Sequence, residues 1–173
     1  MITTLHRARF LELVREGTWE YVRRTHAGGR AVGIVAVTPA GELLLVEQHR
    51  IPVAARTIEL PAGLVGDEHG AEDVCLAAAR ELEEECGWRP ERVRVLAADG
   101  PSSAGLTSET TTLVRAEALV RTGEGGGLPG EGITVHAVPL AAVPAWLAER
   151  RAAGALIDHK IHAGLWWIGQ EGR

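Results

Sequence analysis

Apolar and β-branched or aromatic residues are interspersed with polar ones across residues 8–16 (ARFLELVRE) and again across 18–26 (TWEYVRRTH), with Gly17 between them. Two such runs on either side of a glycine predict an N-terminal β-hairpin closed by a tight turn at Gly17. Residues 31–38 (AVGIVAVT) and 42–48 (ELLLVEQ) are nearly all apolar, as in strands covered on both faces. Pro39-Ala40-Gly41 joins them as a second hairpin at the centre of the core. Residues 57–60 predict a short strand running into Pro61-Ala62-Gly63, where proline and glycine break regular pairing and leave backbone carbonyls exposed.

The period then changes. Over residues 71–86 a rotation of about 100° per residue gathers Ala71, Val74, Cys75, Ala78 and Leu82 on one stripe, which predicts a helix facing the core. Pro90 blocks its continuation, and residues 92–98 alternate as a strand. A loop over 99–109 (DGPSSAGLTSE) precedes a strand at 110–116. Residues 122–132 (TGEGGGLPGEG) read as a mobile connector of loop length. A last strand at 133–138 and helices near 141–153 and 159–167 complete the chain. There is no internal repeat or interdomain linker, so residues 1–173 are expected to form one domain. The order of elements predicts an α+β class, an α/β/α sandwich around a mixed sheet, and the lack of repeated βαβ units argues against a doubly wound fold.

Composition narrows the function. With 46% hydrophobic content the chain can bury a real core. Acidic residues outnumber basic ones, 23 to 18, which excludes a broad nucleic-acid-binding surface, and a small anionic substrate would need local basic residues or a bound metal. Cys75 and Cys86 stand on one helix about 16 Å apart along its axis, too far for a disulfide, so a reducing, cytoplasmic setting is expected. Charges interrupt every apolar run of residues 1–17, unlike a signal peptide, and no stretch reaches the length of a membrane span.

The chemistry concentrates on the predicted helix. Glu81, Glu84 and Glu85 are spaced by three and one, which places their carboxylates on one flank with Glu81 and Glu85 at the border of the buried stripe. Two readings are open: a solvated acidic face, or a half-buried carboxylate cluster that a hard divalent cation neutralises.

The wider pattern decides between them. Gly66, five residues, Glu72, seven residues, Arg80-Glu81-Leu82, one residue, Glu84-Glu85, one residue, Gly87 and a bulky apolar residue resemble the signature of the Nudix hydrolases, with Trp88 where an aliphatic residue is usual. Glu47-Gln48-His49-Arg50, Glu59-Leu60-Pro61-Ala62-Gly63 and Gly105-Leu106-Thr107-Ser108-Glu109 are similar to segments of the ADP-ribose pyrophosphatase branch, although Ser103-Ala104-Gly105 stands where that branch has Ser-Pro-Gly. The resemblance implies a Nudix sandwich and hydrolysis of ADP-ribose or a related nucleoside diphosphate sugar, dependent on Mg²⁺ with Mn²⁺ as a possible substitute. It implies Glu81, Glu84, Glu85 and the Ala62 carbonyl as metal ligands, Arg80 as the residue that holds a carboxylate in place, and Arg50 and Glu59 on the substrate. Gly66 and Gly87 become backbone devices at the loop and the helix end, and Glu72 a structural or helix-start charge. For the general base it implies a glutamate outside the helix: Glu131 before the last strand, with Glu124 as substitute and Glu109 assisting with metal or water. The branch also implies a homodimer built through residues 1–30, and a small-molecule substrate with no nucleic-acid or membrane partner. Other readings are a dinucleotide (NADH) or nucleoside triphosphate pyrophosphatase, and a non-catalytic nucleotide-binding regulatory domain.

Several features stay open between roles. Trp19 and Tyr21 share a strand face with Arg23 and either stack on a nucleobase or pack the hairpin or a dimer contact. Arg50 alone also reads as an exposed strand-end charge. The glycines of 123–132 lack the Lys-Ser/Thr ending of a phosphate-binding loop. His159 and His162 have no acidic or cysteine partner nearby and read as a solvated face, while Trp146, Trp166 and Trp167 read as packing of the C-terminal helices.

Overall fold

The computed structural model describes residues 1–25, 27–66 and 72–171. Its elements in order are β1 (Ile2–Arg7), β2 (Leu11–Glu16), β3 (Trp19–Arg24), β4 (Arg30–Ala36), β5 (Glu42–Arg50), β6 (Ala55–Glu59), β7 (Ala62–Leu64), α1 (Val74–Cys86), β8 (Trp88–Pro101), β9 (Thr110–Arg121), β10 (Thr134–Pro139), α2 (Val143–Ala152), β11 (Leu156–Ile157) and α3 (Lys160–Ile168). The expected mixed sheet is divided in two. One sheet has the order β7-β4-β9-β8 with β4 and β9 parallel, and the other the order β10-β5-β6-β11 with β6 and β11 parallel.

The apolar runs of β4 and β5 are explained by what covers them. Val32, Ile34, Ala36, Leu44 and Val46 belong to a buried cluster with Ala77, Ala78, Leu82 and Cys86 of α1. Val35, Leu43 and Leu45, one residue out of phase, belong to a second cluster with Val143 and Leu147 of α2 and Ile161 of α3. Alternate side chains of the same strands thus meet helices on opposite sides, which is the α/β/α arrangement. No described helix is long and apolar enough to cross a membrane.

Four expectations need correcting. The N-terminal hairpin is a three-stranded antiparallel sheet, β1-β2-β3, whose first strand has no buried residue and so no alternation to betray it. The helix begins at Val74, because the Asp73 carboxylate caps it by accepting from the Cys75 N–H at 2.8 Å; Ala71, like His26, lies outside the described residues. Pro90 does not delay the following strand: Gly87, in the left-handed region at φ 70°, ends the helix, and Pro90 sits inside β8, an edge strand where a missing N–H can face away from the ladder. At Pro61-Ala62-Gly63 pairing with β5 does end, as expected, but the Pro61 carbonyl is not left exposed: it accepts from Ile34 N–H at 2.8 Å, and β7 starts antiparallel to β4 in the other sheet.

Candidate active site

Helix α1 presents its glutamates to β7. Glu85 is buried, 7% exposed, and its Oε2 accepts from the Ala62 N–H at 3.0 Å. Glu81 lies against Gly63, and a β-carbon there would fall 2.0 Å from its Cδ. Burial pushes the Glu85 carboxyl up to about 8; the Ala62 N–H opposes this, and the charges of Glu81 and Glu131 add to it. Burial likewise raises Glu81 to about 7, against the downward pull of Arg80 and with further repulsion from Glu84 and Glu131. Both groups therefore carry less countercharge than their burial demands.

Arg80 stands among three carboxylates. Its Nη1 donates to Glu84 Oε2 at 3.2 Å, Nη2 lies 3.0 Å from Glu81 Oε1 and Nε 3.5 Å from Glu72 Oε1. The last two are ion pairs by distance only; neither nitrogen makes a hydrogen bond. Glu72 in turn accepts from the Gly66 N–H at 3.0 Å, tying the start of the helix to the end of β7. Among the described residues no three His, Cys, Asp or Glu side chains are grouped closely enough for a metal ion; Glu81 and Glu84 are paired with Arg80, and Glu85 with the Ala62 N–H.

The glycine-rich stretch is not a free connector. Thr122 and Gly123 N–H groups donate to Gly87 O, Gly126 N–H to Glu85 O at 2.7 Å and Gly127 N–H to Glu84 O at 3.1 Å. A helix leaves its last carbonyls without partners, and this loop supplies them. The fit requires Gly125, where a β-carbon would come within 2.5 Å of Glu85 O. In this way the loop that carries Glu131 is registered to the helix that carries Glu84 and Glu85. The Glu131 carboxylate accepts from Leu128 N–H at 2.8 Å, and its charge acts on Glu81 and Glu85. Glu124 is 94% exposed and pairs with Arg121.

Beside Ala62–Gly63 opens a cleft of about 250 Å³, lined by Arg24, Arg50, Glu59, Glu109, Ser102 and Lys160 among others. Arg50 makes a two-pronged bond to Glu59, Nε to Oε1 and Nη2 to Oε2, each 2.7 Å, and the Glu59 carboxylate holds the guanidinium above its ordinary range. Arg24 Nε donates to Glu109 Oε2 at 2.6 Å. Arg50, Glu59, Ala62 and Glu109, read from the sequence as site residues, are thus brought together. Trp19 and Tyr21 are not in this cleft but line a separate hollow with Glu16, Ala104, Thr107 and Ser108.

Sequence reasoning missed Arg24 and Lys160. Strand alternation separates Arg24 from Arg23, which turns instead to Glu12, and the signal for Lys160 is that it is the chain's only lysine. His159 and His162 are exposed as expected. Trp146 and Trp167 pack on the second core cluster, but Trp166 is 57% exposed, which corrects its reading as a packing residue.

Residues 28–157 match the family model described as "NUDIX domain". The methanol dehydrogenase activator of Bacillus methanolicus is 36% identical over 57% of this chain and 51% of its own length. The ADP-ribose pyrophosphatase of Bacillus subtilis (strain 168) is 36% identical over 51% of this chain and 46% of its own, and the ADP-ribose pyrophosphatase of Saccharomyces cerevisiae is 39% identical over 43% and 34%. The chain therefore spans about half the length or less of these relatives. A solved structure described as that of an ADP compounds hydrolase superimposes with a TM-score of 0.75 over 100% of this chain and 94% of that one, at 22% identity, a likeness of fold.

Proposed function

The chain belongs to the NUDIX family, and from that membership we propose that it hydrolyses the pyrophosphate bond of ADP-ribose or a related nucleoside diphosphate sugar. Products would be a nucleoside monophosphate and a sugar phosphate, AMP and ribose 5-phosphate in the case of ADP-ribose. The observation that carries the reading is the meeting of the half-buried Glu81 and the buried Glu85 with Gly63 and Ala62 on the wall of the Arg50–Glu59 cleft. Two relatives named as ADP-ribose pyrophosphatases support the choice of substrate.

The donor set fits a hard divalent cation. Glu81 and Glu85 are raised because burial and mutual repulsion outweigh the positive charge near them, and carboxylate and carbonyl oxygens suit Mg²⁺, with Mn²⁺ as a substitute. Glu81, Glu84, Glu85 and the Ala62 carbonyl would hold it. When bound, such an ion screens the phosphate charges and lowers the pKa of water. Arg80 holds Glu81 and Glu84 in place. Glu131 accepts the proton of the attacking water, and the loop's bonds to the end of α1 keep it in reach. Arg50, held by Glu59, donates to a phosphate oxygen, and Glu109, held by Arg24, orients water or metal.

We assign residues 1–173 to one domain that works as a homodimer. Phe10, Leu11, Leu13 and Trp19 are exposed apolar residues of the N-terminal sheet region, suited to cover by a second copy. The net charge of -5 favours a small-molecule partner over nucleic acid, and the two free cysteines accord with a reducing cytoplasm. A panel of nucleoside diphosphate sugars, dinucleotides and triphosphates, incubated with Mg²⁺ and resolved by chromatography, tests the reaction. Release of AMP and ribose 5-phosphate from ADP-ribose is expected; no turnover on any compound would turn the reading to a nucleotide-binding domain.

A further inference from the structure

The cleft beside Ala62–Gly63 does not end at the Arg50–Glu59 pair. A second hollow of about 290 Å³ shares Ser102, Thr111 and Lys160 with it and continues past Leu113, Ala163 and Trp167. Lys160 therefore stands where a polar chamber lined by arginine and carboxylate side chains meets a more apolar one. Its placement is tightly determined. The Asp158 carboxylate accepts from both the Lys160 N–H at 2.8 Å and Nζ at 2.5 Å, and Asp158 N–H is itself bound to Ile58 O at 2.9 Å. The lysine stem crosses β4 at Gly33, where a β-carbon would lie 3.9 Å from Lys160 Cδ. Gly33 is the register partner of Ala62, whose N–H is bound to Glu85. One strand pair thus separates the lysine from the glutamate cluster.

Each carboxylate of the first chamber already has its own cation, Glu59 with Arg50 and Glu109 with Arg24. An ammonium has three donors, and Asp158 uses one of the three on Nζ. The side chain is 35% exposed, which leaves the remaining donors to the cleft. We infer that Lys160 is a phosphate-binding residue of this cleft, contributed by α3, and that the chamber beyond it takes the uncharged group attached to that phosphate. The inference rests on the proposed nucleoside diphosphate substrate and adds to it a binding role for the C-terminal helix.

Because the chain has a single lysine, one reagent reads this side chain directly. Pyridoxal 5′-phosphate with borohydride reduces onto primary amines, so peptide mapping of the intact chain should find label on Lys160 and on the N-terminal amine only. ADP-ribose added without divalent cation is expected to lower labelling of Lys160 about tenfold at saturation and leave the N-terminal amine unchanged. Equal labelling of Lys160 with and without nucleotide would overturn the inference. In kinetics Lys160→Met should raise KM about tenfold with kcat within a few-fold, and Lys160→Arg should restore most of the loss. A fall in kcat at unchanged KM would also overturn it. Protection without hydrolysis would leave Lys160 as a binding residue and remove the proposed reaction, whereas hydrolysis without protection would do the reverse.

Discussion

The Glu81 carboxylate occupies the space that a side chain at position 63 would need: a β-carbon built on Gly63 falls 2.0 Å from both Cδ and Oε1 of Glu81. A side chain on the helix is thus placed by the absence of one on the neighbouring strand. Gly63→Ala should push Glu81 aside, lowering kcat about 100-fold and costing about 1–3 kcal/mol of stability by overpacking. Steady-state kinetics beside thermal melts check this; wild-type turnover in a folded alanine variant would show that Glu81 is not needed where it stands.

Stability without divalent cation should depend on pH through the same pair. Glu81 and Glu85 are raised from 4.5 to about 7 and about 8 in the folded protein. A carboxyl raised on folding holds its proton more tightly in the native state, so its contribution is full below about pH 4.5 and is lost as pH rises through the folded values. The Tm of the metal-free protein is expected to fall between about pH 5 and about pH 8, with Mg²⁺ restoring it most at the upper end. Glu85→Gln should flatten the profile. A metal-free Tm that rises over this range would contradict the burial argument.

The two glutamate roles separate in kinetics. Glu85→Gln is expected to leave a folded protein with almost no Mg²⁺-dependent hydrolysis. Glu131→Gln should reduce kcat by about 10²–10⁴ with little change in nucleotide affinity measured by calorimetry. Unchanged turnover in the second variant would move the base to Glu109 or Glu124, and Glu124, 94% exposed on Arg121, would first have to turn inward.

Gly125→Ala should detach the glycine-rich loop from α1. A β-carbon would meet Glu85 O at 2.5 Å, and the residue has φ 71°. Loss of the loop's bonds to the helix end should cost about 1–3 kcal/mol and speed hydrogen exchange at Gly126 and Gly127, with kcat falling as Glu131 loses its register. Slow exchange at both amides in the variant would mean that the loop is held by something else.

Light scattering at micromolar concentration is expected to give the mass of a dimer, and Trp19→Glu together with Leu13→Glu to give that of one chain. Cross-strand register puts Leu13 and Trp19 on opposite faces of the N-terminal sheet, so the double variant charges both; a monomeric wild type would leave these exposed apolar residues without the proposed cover.

Sequence alone carried the two-sided core strands, the central helix and the carboxylate spacing, because these are periodic and local: Leu43 to Val46 are apolar on both faces, and Glu81, Glu84 and Glu85 share a flank at any helix boundary. It also carried Arg50, Glu59, Ala62 and Glu109, through resemblance, without saying that they line one cleft. Tertiary structure decided the rest, since it depends on contacts between distant segments. Glu131 is registered to α1 by backbone bonds that leave no mark beyond glycines, and those glycines by composition read as mobility. Lys160 reaches the cleft because α3 packs back over Gly33, more than a hundred residues earlier. Pro90 reads as a breaker until the sheet order puts it on an edge strand, where its missing N–H can face away from the ladder.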